Sequence, residues 1–335
     1  RSTLFPYTTL FRSRTGDLVY ASFKEKLDDA TYQRSIALGD TIAKVILARA
    51  KNDGYFLSRG KPKHLGSKEP GKWRPTPPDY LDGVEWCWNT MKTMVLDSAA
   101  QFMPPRPPKY STDTNSSFYK NANEVYTINK NLTQEQKLIA RYWDDNPFVM
   151  EHSGHLMFAT KKITPGGHWM GIAAIAAKQT NADPVQIAKG YAMTAIALYD
   201  AFIACWDEKY RSNVVRPVTY INEYIDNKFV PFLQTPPFPE YTSGHSAITA
   251  SASTVLAHIY GNNFSFQDTS DLRYIGMQRH FNSFQEAANE ASISRVYGGI
   301  HYRTGVEAGA AQGKKVGELR SEEHTSELQS QNRIS

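Results

Sequence analysis

The 335-residue chain predicts an all-α fold of packed antiparallel helical bundles, with few or no strands. Three observations carry that expectation. Apolar residues recur at helical spacing over much of the chain. Helix-start signals stand ahead of several of these stretches. No segment alternates apolar and polar residues convincingly enough to form a half-buried sheet.

Taken in order, residues 30–51 place Tyr32, Ile36, Ile42, Val45 and Ile46 near helical spacing, and a helix is expected there. Residues 61–78 hold five prolines with Gly66 and Gly71, which suits an ordered loop or surface arm. A helix is expected over 84–101, stopped by Pro104, Pro105, Pro107 and Pro108. Thr133 and Gln136 form a capping box for a helix over 134–144, which also accounts for the glycosylation-like triplet Asn131-Leu-Thr133. Asp183-Pro184 supplies an N-cap and a proline at the first helical position. The helix it opens, 184–207, carries an apolar stripe through Ala188, Tyr191, Ala195, Tyr199, Phe202 and Trp206. Ser283 and Glu286 head another helix, with Phe284, Ala287, Ala288 and Ala291 on one face, running towards Arg295. Pro165-Gly-Gly-His168-Trp169 could form a pocket loop, with a structural turn the favoured reading, and His152 and His155 are too isolated for a metal pair.

The two ends read differently. Residues 3–13 and 320–330 each resemble a sequencing-library adapter in translation, so 1–13 and 320–335 are set aside as adapter-derived scars. That leaves an N-terminal helical region, 14–180, and a catalytic helical bundle, 181–319. On this reading the native termini and any targeting segment are missing. The net charge of +5 comes without a long Lys/Arg run, which argues against a nucleic-acid groove. Cys87 and Cys205 form no metal cluster, and Cys205 suits a buried free thiol. The most apolar region, 185–206, is interrupted by Lys189 and Asp200, so no membrane span is expected.

Three segments carry the chemistry. They are Lys209 with Arg216-Pro217, Thr242-Ser243-Gly244-His245, and Ser294-Arg295 with His301. Guanidinium forks and an ammonium suit the oxygens of a tetrahedral anion, and Ser with backbone N–H groups can complete a cage. Ser243 and Gly244 stand where a helix should begin, with Ile248, Ala252, Val255, Leu256 and Ile259 following and Gly261 ending it. Free N–H groups there favour an anion. Gly298-Gly299 breaks the helix of Arg295 and turns the chain towards His301. Each segment alone has a bland alternative: a helix cap, solvated surface cations, a hydrogen-bonded core histidine.

Together, in type, spacing and order, they resemble the signature of the type 2 phosphatidic acid phosphatase and vanadium-dependent haloperoxidase superfamily, over about 206–301. The resemblance implies the helical-bundle fold of the soluble haloperoxidase branch. It implies that Lys209, Arg216, Arg295, Ser243 and Gly244 hold the oxyanion. His301 would be the axial group, a ligand to vanadium or a phosphoryl-accepting nucleophile, and His245 the general acid–base. Trp206 and Phe238 would line the halide side of the pocket. The implied cofactor is vanadate, with hydrogen peroxide and halide as substrates. The alternatives are a soluble acid phosphatase, with phosphate and a phosphate monoester in the same cage, and a non-catalytic oxyanion-binding protein. A homo-oligomer and a periplasmic or secreted location are further expectations. The pattern departs at Thr242, where Pro is usual, and at Gly305, where Asp is expected four residues after His301. Without that carboxylate His301 needs another partner. Asp200, Asp207 or a backbone carbonyl are candidates, while Glu307 lies on the wrong helical face.

Overall fold

The computed structural model describes residues 5–146, 150–153, 156–159 and 162–331, so His155 lies outside the described residues, as does the side chain of His152. Residues 1–55 and 56–335 form two compact units. The first holds α1 (Phe5–Lys24) and α2 (Asp29–Lys51). Asp28 caps α2 by accepting the Thr31 N–H at 2.8 Å. The helix expected over 30–51 is therefore present, although α2 buries none of its side chains. A short α3 (Tyr55–Arg59) follows.

Helices expected over 134–144 and 184–207, after Ser243 and after Ser283 are present in the second unit, together with others. They are α4 (Ser117–Lys130), α5 (Gln134–Tyr142), α6 (Pro165–Gln179), α7 (Pro184–Ser212), α8 (Pro217–Tyr224), α9 (Gly244–Tyr260), a short α10 (Leu272–Ile275), α11 (Phe284–Tyr297) and α12 (Arg303–Gln331). Both bonds of the Thr133–Gln136 box form, as do those of an Asp183–Gln186 box at the start of α7. Ser283 accepts the Glu286 N–H, but Glu286 reaches back to the Asn282 N–H, one residue earlier than a capping box requires. Strands are few, as expected. Met150–Ser153 pairs antiparallel with Leu156–Ala159, and Phe266–Asp268 pairs antiparallel with Arg279–Phe281.

The main core lies between α6, α7, α9, α11 and α12, around Trp169, Ile172, Leu198, Ile248, Leu256 and Phe284. Helices α6 and α7, on either side of residue 180, pack against each other inside it. By length and apolarity α7 could cross a membrane, yet half of that window is buried and it carries Lys189, Asp200, Glu208 and Lys209. It is a core helix. The boundary expected at 319/320 coincides with no break in α12.

Two expectations need correction. Residues 84–101 form only one 3₁₀ turn, Trp88–Thr90. Buried Asp200 of α7 accepts the N–H groups of Met94, Val95 and Leu96 at 2.7, 2.7 and 3.1 Å. The Val84 N–H goes to the Pro237 carbonyl at 3.1 Å. These partners hold the segment in turns and bends and stand in for helical bonds. Secondly, α7 runs five residues further than expected, to Ser212, with Asn213 in the left-handed conformation as its C-cap. Lys209 therefore sits on the last turn of the helix, not beyond it. The proline-rich arm is an ordered loop. It is tied to the α7–α8 connection by Trp73 N–H to Asn213 O and Val215 N–H to Gly71 O, both 2.9 Å.

Helix α12 approaches α9 unusually closely, and glycines make this possible. Gly305, Gly309, Gly313 and Gly317 recur every four residues on one face. A Cβ at Gly309 would lie 2.6 Å from the Ser243 carbonyl, and one at Gly313 1.8 Å from the Ala247 carbonyl. Alanine is the better helix former by about 1 kcal/mol, so any loss on adding a methyl here comes from the contact itself. Gly313→Ala should lower stability by at least the roughly 1–3 kcal/mol typical of overpacking. Denaturant unfolding reads it directly, and an unchanged or raised midpoint would contradict the packing argument.

Candidate active site

The second and third sequence segments line one cavity of about 290 Å³, and Arg216 of the first lies behind it, with Nη1 3.1 Å from His301 Nε2. Lys209 comes from the last turn of α7, and Arg216 is the N-cap residue of α8. Ser243 caps α9, with Gly244 and His245 in its first turn. Arg295 is in the last turn of α11, and Gly299, at φ +76°, lets the chain turn to present His301. Gly244, His245, Arg295 and His301 line the cavity with Trp206 and Phe238, so the two expected aromatic residues are in place.

All three cations are buried, at 0–1% exposure. Their fixed contacts are mostly backbone carbonyls. Lys209 Nζ donates to Pro239 O and Glu240 O, each at 3.1 Å, and to Thr242 O. Arg216 donates from Nε to Phe238 O at 2.7 Å and from Nη1 to Ile300 O at 2.8 Å. Arg295 donates from Nη1 to Trp143 O at 2.6 Å. Thr242, buried where proline is usual, thus supplies a carbonyl to Lys209, and its hydroxyl bonds to Gln312 Oε1 at 3.1 Å. The Phe238 ring lies 5.0 Å below both Lys209 Nζ and the Arg216 guanidinium, a cation–π geometry that keeps the ammonium and the fork apart from water. Ser243 Oγ accepts from Ser246 N at 3.3 Å and from Ser246 Oγ at 2.9 Å.

Burial is the first cause of every shift in the site. It pulls Lys209 down to about 7 and Arg216 to about 10, and it lowers Arg295. Burial, reinforced by neighbouring cations, holds His245 and His301 well below the usual histidine range, so both are neutral. Among the buried side-chain atoms without a protein partner are Arg216 Nη2, Arg295 Nε and His245 Nε2, together with the indole nitrogens of Trp88 and Trp206 beside them. Buried polar atoms normally have partners, and three cations with orphaned nitrogens fit an oxyanion.

The partner of His301 is Glu240, which the sequence reading passed over. Glu240 Oε1 stands 2.8 Å from His301 Nδ1, and Arg216 Nη1 lies 3.1 Å from Nε2. None of the candidates expected from sequence takes this place. Asp200 holds the 94–96 backbone, Asp207 bonds to Arg211 and Asn89, and Glu307 lines a separate surface groove. The expectation that Gly305 leaves His301 without a carboxylate is therefore corrected. The signal was present in the sequence, because Glu240 is the one carboxylate between Pro236 and His245.

A second correction concerns His168. It lies in the first turn of α6, capped by Thr164, and not in an isolated turn. Its buried ring stacks on Trp143 at 4.5 Å, with Nε2 2.9 Å from Asp268 and Nδ1 3.1 Å from Asp145. Burial alone would discharge the ring. The carboxylates of Asp145 and Asp268 outweigh it and hold His168 protonated. Asp271, 3.6 Å from Nδ1, is pushed up to about 7 by burial and by Asp145. This imidazolium backs Trp143, whose carbonyl holds Arg295 and hydrogen-bonds to the His245 ring.

The fold and the cage define an all-α enzyme with a buried cationic cage beside two neutral histidines. The family described as the VCPO second helical-bundle domain matches residues 189–330. The crystal structure of the first bacterial vanadium-dependent iodoperoxidase is 46% identical, with a TM-score of 0.83 over 92% of this chain and 73% of that one. A holo-type bacterial vanadium-dependent chloroperoxidase, 20% identical, shares the fold at a TM-score of 0.59 over 76% of this chain and 61% of that one. The apo-type structure of such an enzyme, 18% identical, does so at 0.60 over 78% and 65%. No curated protein matches the chain. The chain belongs to the vanadium-dependent haloperoxidase family. Its function is haloperoxidase-like, and the phosphatase and non-catalytic alternatives are not favoured.

The folded protein holds the His168 proton more tightly than an unfolded chain does. Its stabilisation is complete below the ordinary histidine value of 6.5 and is lost as the pH rises through the raised folded value. His168→Asn strands Asp145 and Asp268 without their cation. Urea unfolding at mildly acidic pH should show a loss of about 3–5 kcal/mol, and a neutral substitution would refute the charged assignment.

Proposed function

We propose that this protein oxidises halide with hydrogen peroxide at a vanadate held by Lys209, Arg216, Arg295, Ser243 and the Gly244 N–H, with His301 as the metal ligand. The observation that carries the reading is the convergence of three buried cations and the orphaned Arg216 Nη2, Arg295 Nε and His245 Nε2 around His301. Bound vanadate supplies a Lewis-acidic centre that polarises peroxide. The chain supplies the rest. Glu240 at Nδ1 puts the proton of His301 on that nitrogen and leaves the Nε2 lone pair as the donor. His245 is neutral, its Nε2 has no protein partner, and it is placed to take a proton from peroxide and return it to the departing oxygen. Trp206, Phe238, Phe202 and Trp88 form an apolar wall where water is excluded.

We further propose iodide as the preferred halide. Support comes from the likeness to the bacterial iodoperoxidase and from the aromatic wall, which suits a large, weakly hydrated anion better than a small one. Protein loaded with vanadate should generate triiodide only when peroxide and iodide are both present, with slower oxidation of bromide and chloride. His301→Ala should abolish it. Hydrolysis of an aryl phosphate without oxidation of any halide would overturn the reading in favour of a phosphatase.

The Lys209 shift gives a second expected outcome. An anion needs the ammonium charged, so above about pH 7 binding requires uptake of a proton. Vanadate affinity, read as protection against thermal unfolding, should weaken as the pH rises past neutrality. Lys209→Arg, which keeps its charge, should flatten that dependence.

A further inference from the structure

We propose that Glu240 is the positioning residue of His301 and that Glu240 and Gly305 form one device, in which a single carboxylate site is filled from residue 240 because residue 305 is bare. The inference rests on the assignment of His301 as the anion ligand and adds a residue to that site.

The argument begins with space. Glu240 is 1% exposed, and its Oε1 accepts from His301 Nδ1 at 2.8 Å and from the Tyr302 N–H at 3.1 Å. A Cβ built on Gly305 would lie 2.2 Å from that same Oε1, 2.9 Å from Cδ and 3.0 Å from Oε2. No side chain can occupy 305 while Glu240 stands where it does. The 305 backbone cannot withdraw freely, because its carbonyl accepts the Ser243 N–H at 2.9 Å and its own N–H bonds to Tyr302 O at 3.1 Å. The Glu240 backbone is held as well, its N–H on Val214 O at 3.0 Å and its carbonyl under Lys209 Nζ. The Cβ direction of residue 305 therefore points straight at the carboxylate beside His301. An Asp at 305 would deliver its own carboxylate to the place Glu240 now fills. The two sources are mutually exclusive, and one of them suffices.

A buried carboxylate on the far nitrogen of a ligating histidine fixes ring orientation and tautomer. A structural role, capping Tyr302 N–H, would need no such exchange. The two are separable. Histidine-selective 15N spectra, with His301→Ala for assignment, report which ring nitrogen of His301 carries the proton. Equilibrium dialysis with vanadate reports affinity without turnover. In the wild type the proton should sit on Nδ1. Glu240→Ala should release that preference and weaken vanadate binding by about 10–100-fold. Gly305→Asp alone should damage binding or folding by crowding two carboxylates together. The double variant Glu240→Ala with Gly305→Asp should return the Nδ1 proton and bring affinity to within a few-fold of wild type. Glu240→Gln keeps the shape and guards against misfolding; its affinity should fall between those of wild type and Glu240→Ala. A Glu240→Ala protein with the wild-type tautomer would overturn the proposal, as would a folded double variant as weak as Glu240→Ala. The 15N result stands whether or not halide is oxidised, so failure of the haloperoxidase reading shows up separately, in the triiodide assay.

Discussion

Three basic side chains buried around His301 are the constraint on which the second unit depends. Lys209, Arg216 and Arg295 have 0–1% exposure, and isolated buried charge costs several kcal/mol per ion. The protein offsets this with few opposite charges. It aims backbone carbonyls of 238–242, Ile300 and Trp143 at the cations and lays Phe238 under two of them. Dipoles screen a charge without cancelling it. The cage thus keeps a positive field for an anion, which Asp or Glu at each cation would have quenched.

That solution demands closely packed backbone. The Ser243 turn can be buried under α12 only because Gly305 and Gly309 bring no side chain to it. Behind the cage the protonated His168, between Asp145 and Asp268, fixes the wall that carries Trp143. Its charge is set by Asp145 of the 143–146 segment, Asp268 of the 266–268 strand and Asp271 just before α10. It is a polar support joined to the site through one carbonyl.

Much of this was legible in the sequence, for identifiable reasons. Capping residues and periodic apolar positions act locally, so α5, α7, α9 and α11 could be placed from Thr133, Asp183, Ser243 and Ser283. Charged residues that would be costly to bury have few reasons to stand beside Ser-Gly-His, so the cage was legible too. What failed was every feature set by a distant partner. Residues 84–101 look helical until Asp200, about a hundred residues away, takes their N–H groups. Glu240 looks like part of a proline-rich approach until Gly305 makes room for it. His168 looks like one residue of a Gly-rich turn until three aspartates close round it.

The segment from Phe238 to Ser243 touches Lys209, Arg216 and His301, while Arg295 is held apart from it on the Trp143 carbonyl. Its carbonyls take Lys209 and Arg216, its carboxylate takes His301, and its last residue starts α9. These three side chains are tied to the same six residues. Whatever orders this stretch sets those three side chains at once, and whatever mobilises it loosens them together. It acts as one latch for three of the side chains, with Arg295 held separately.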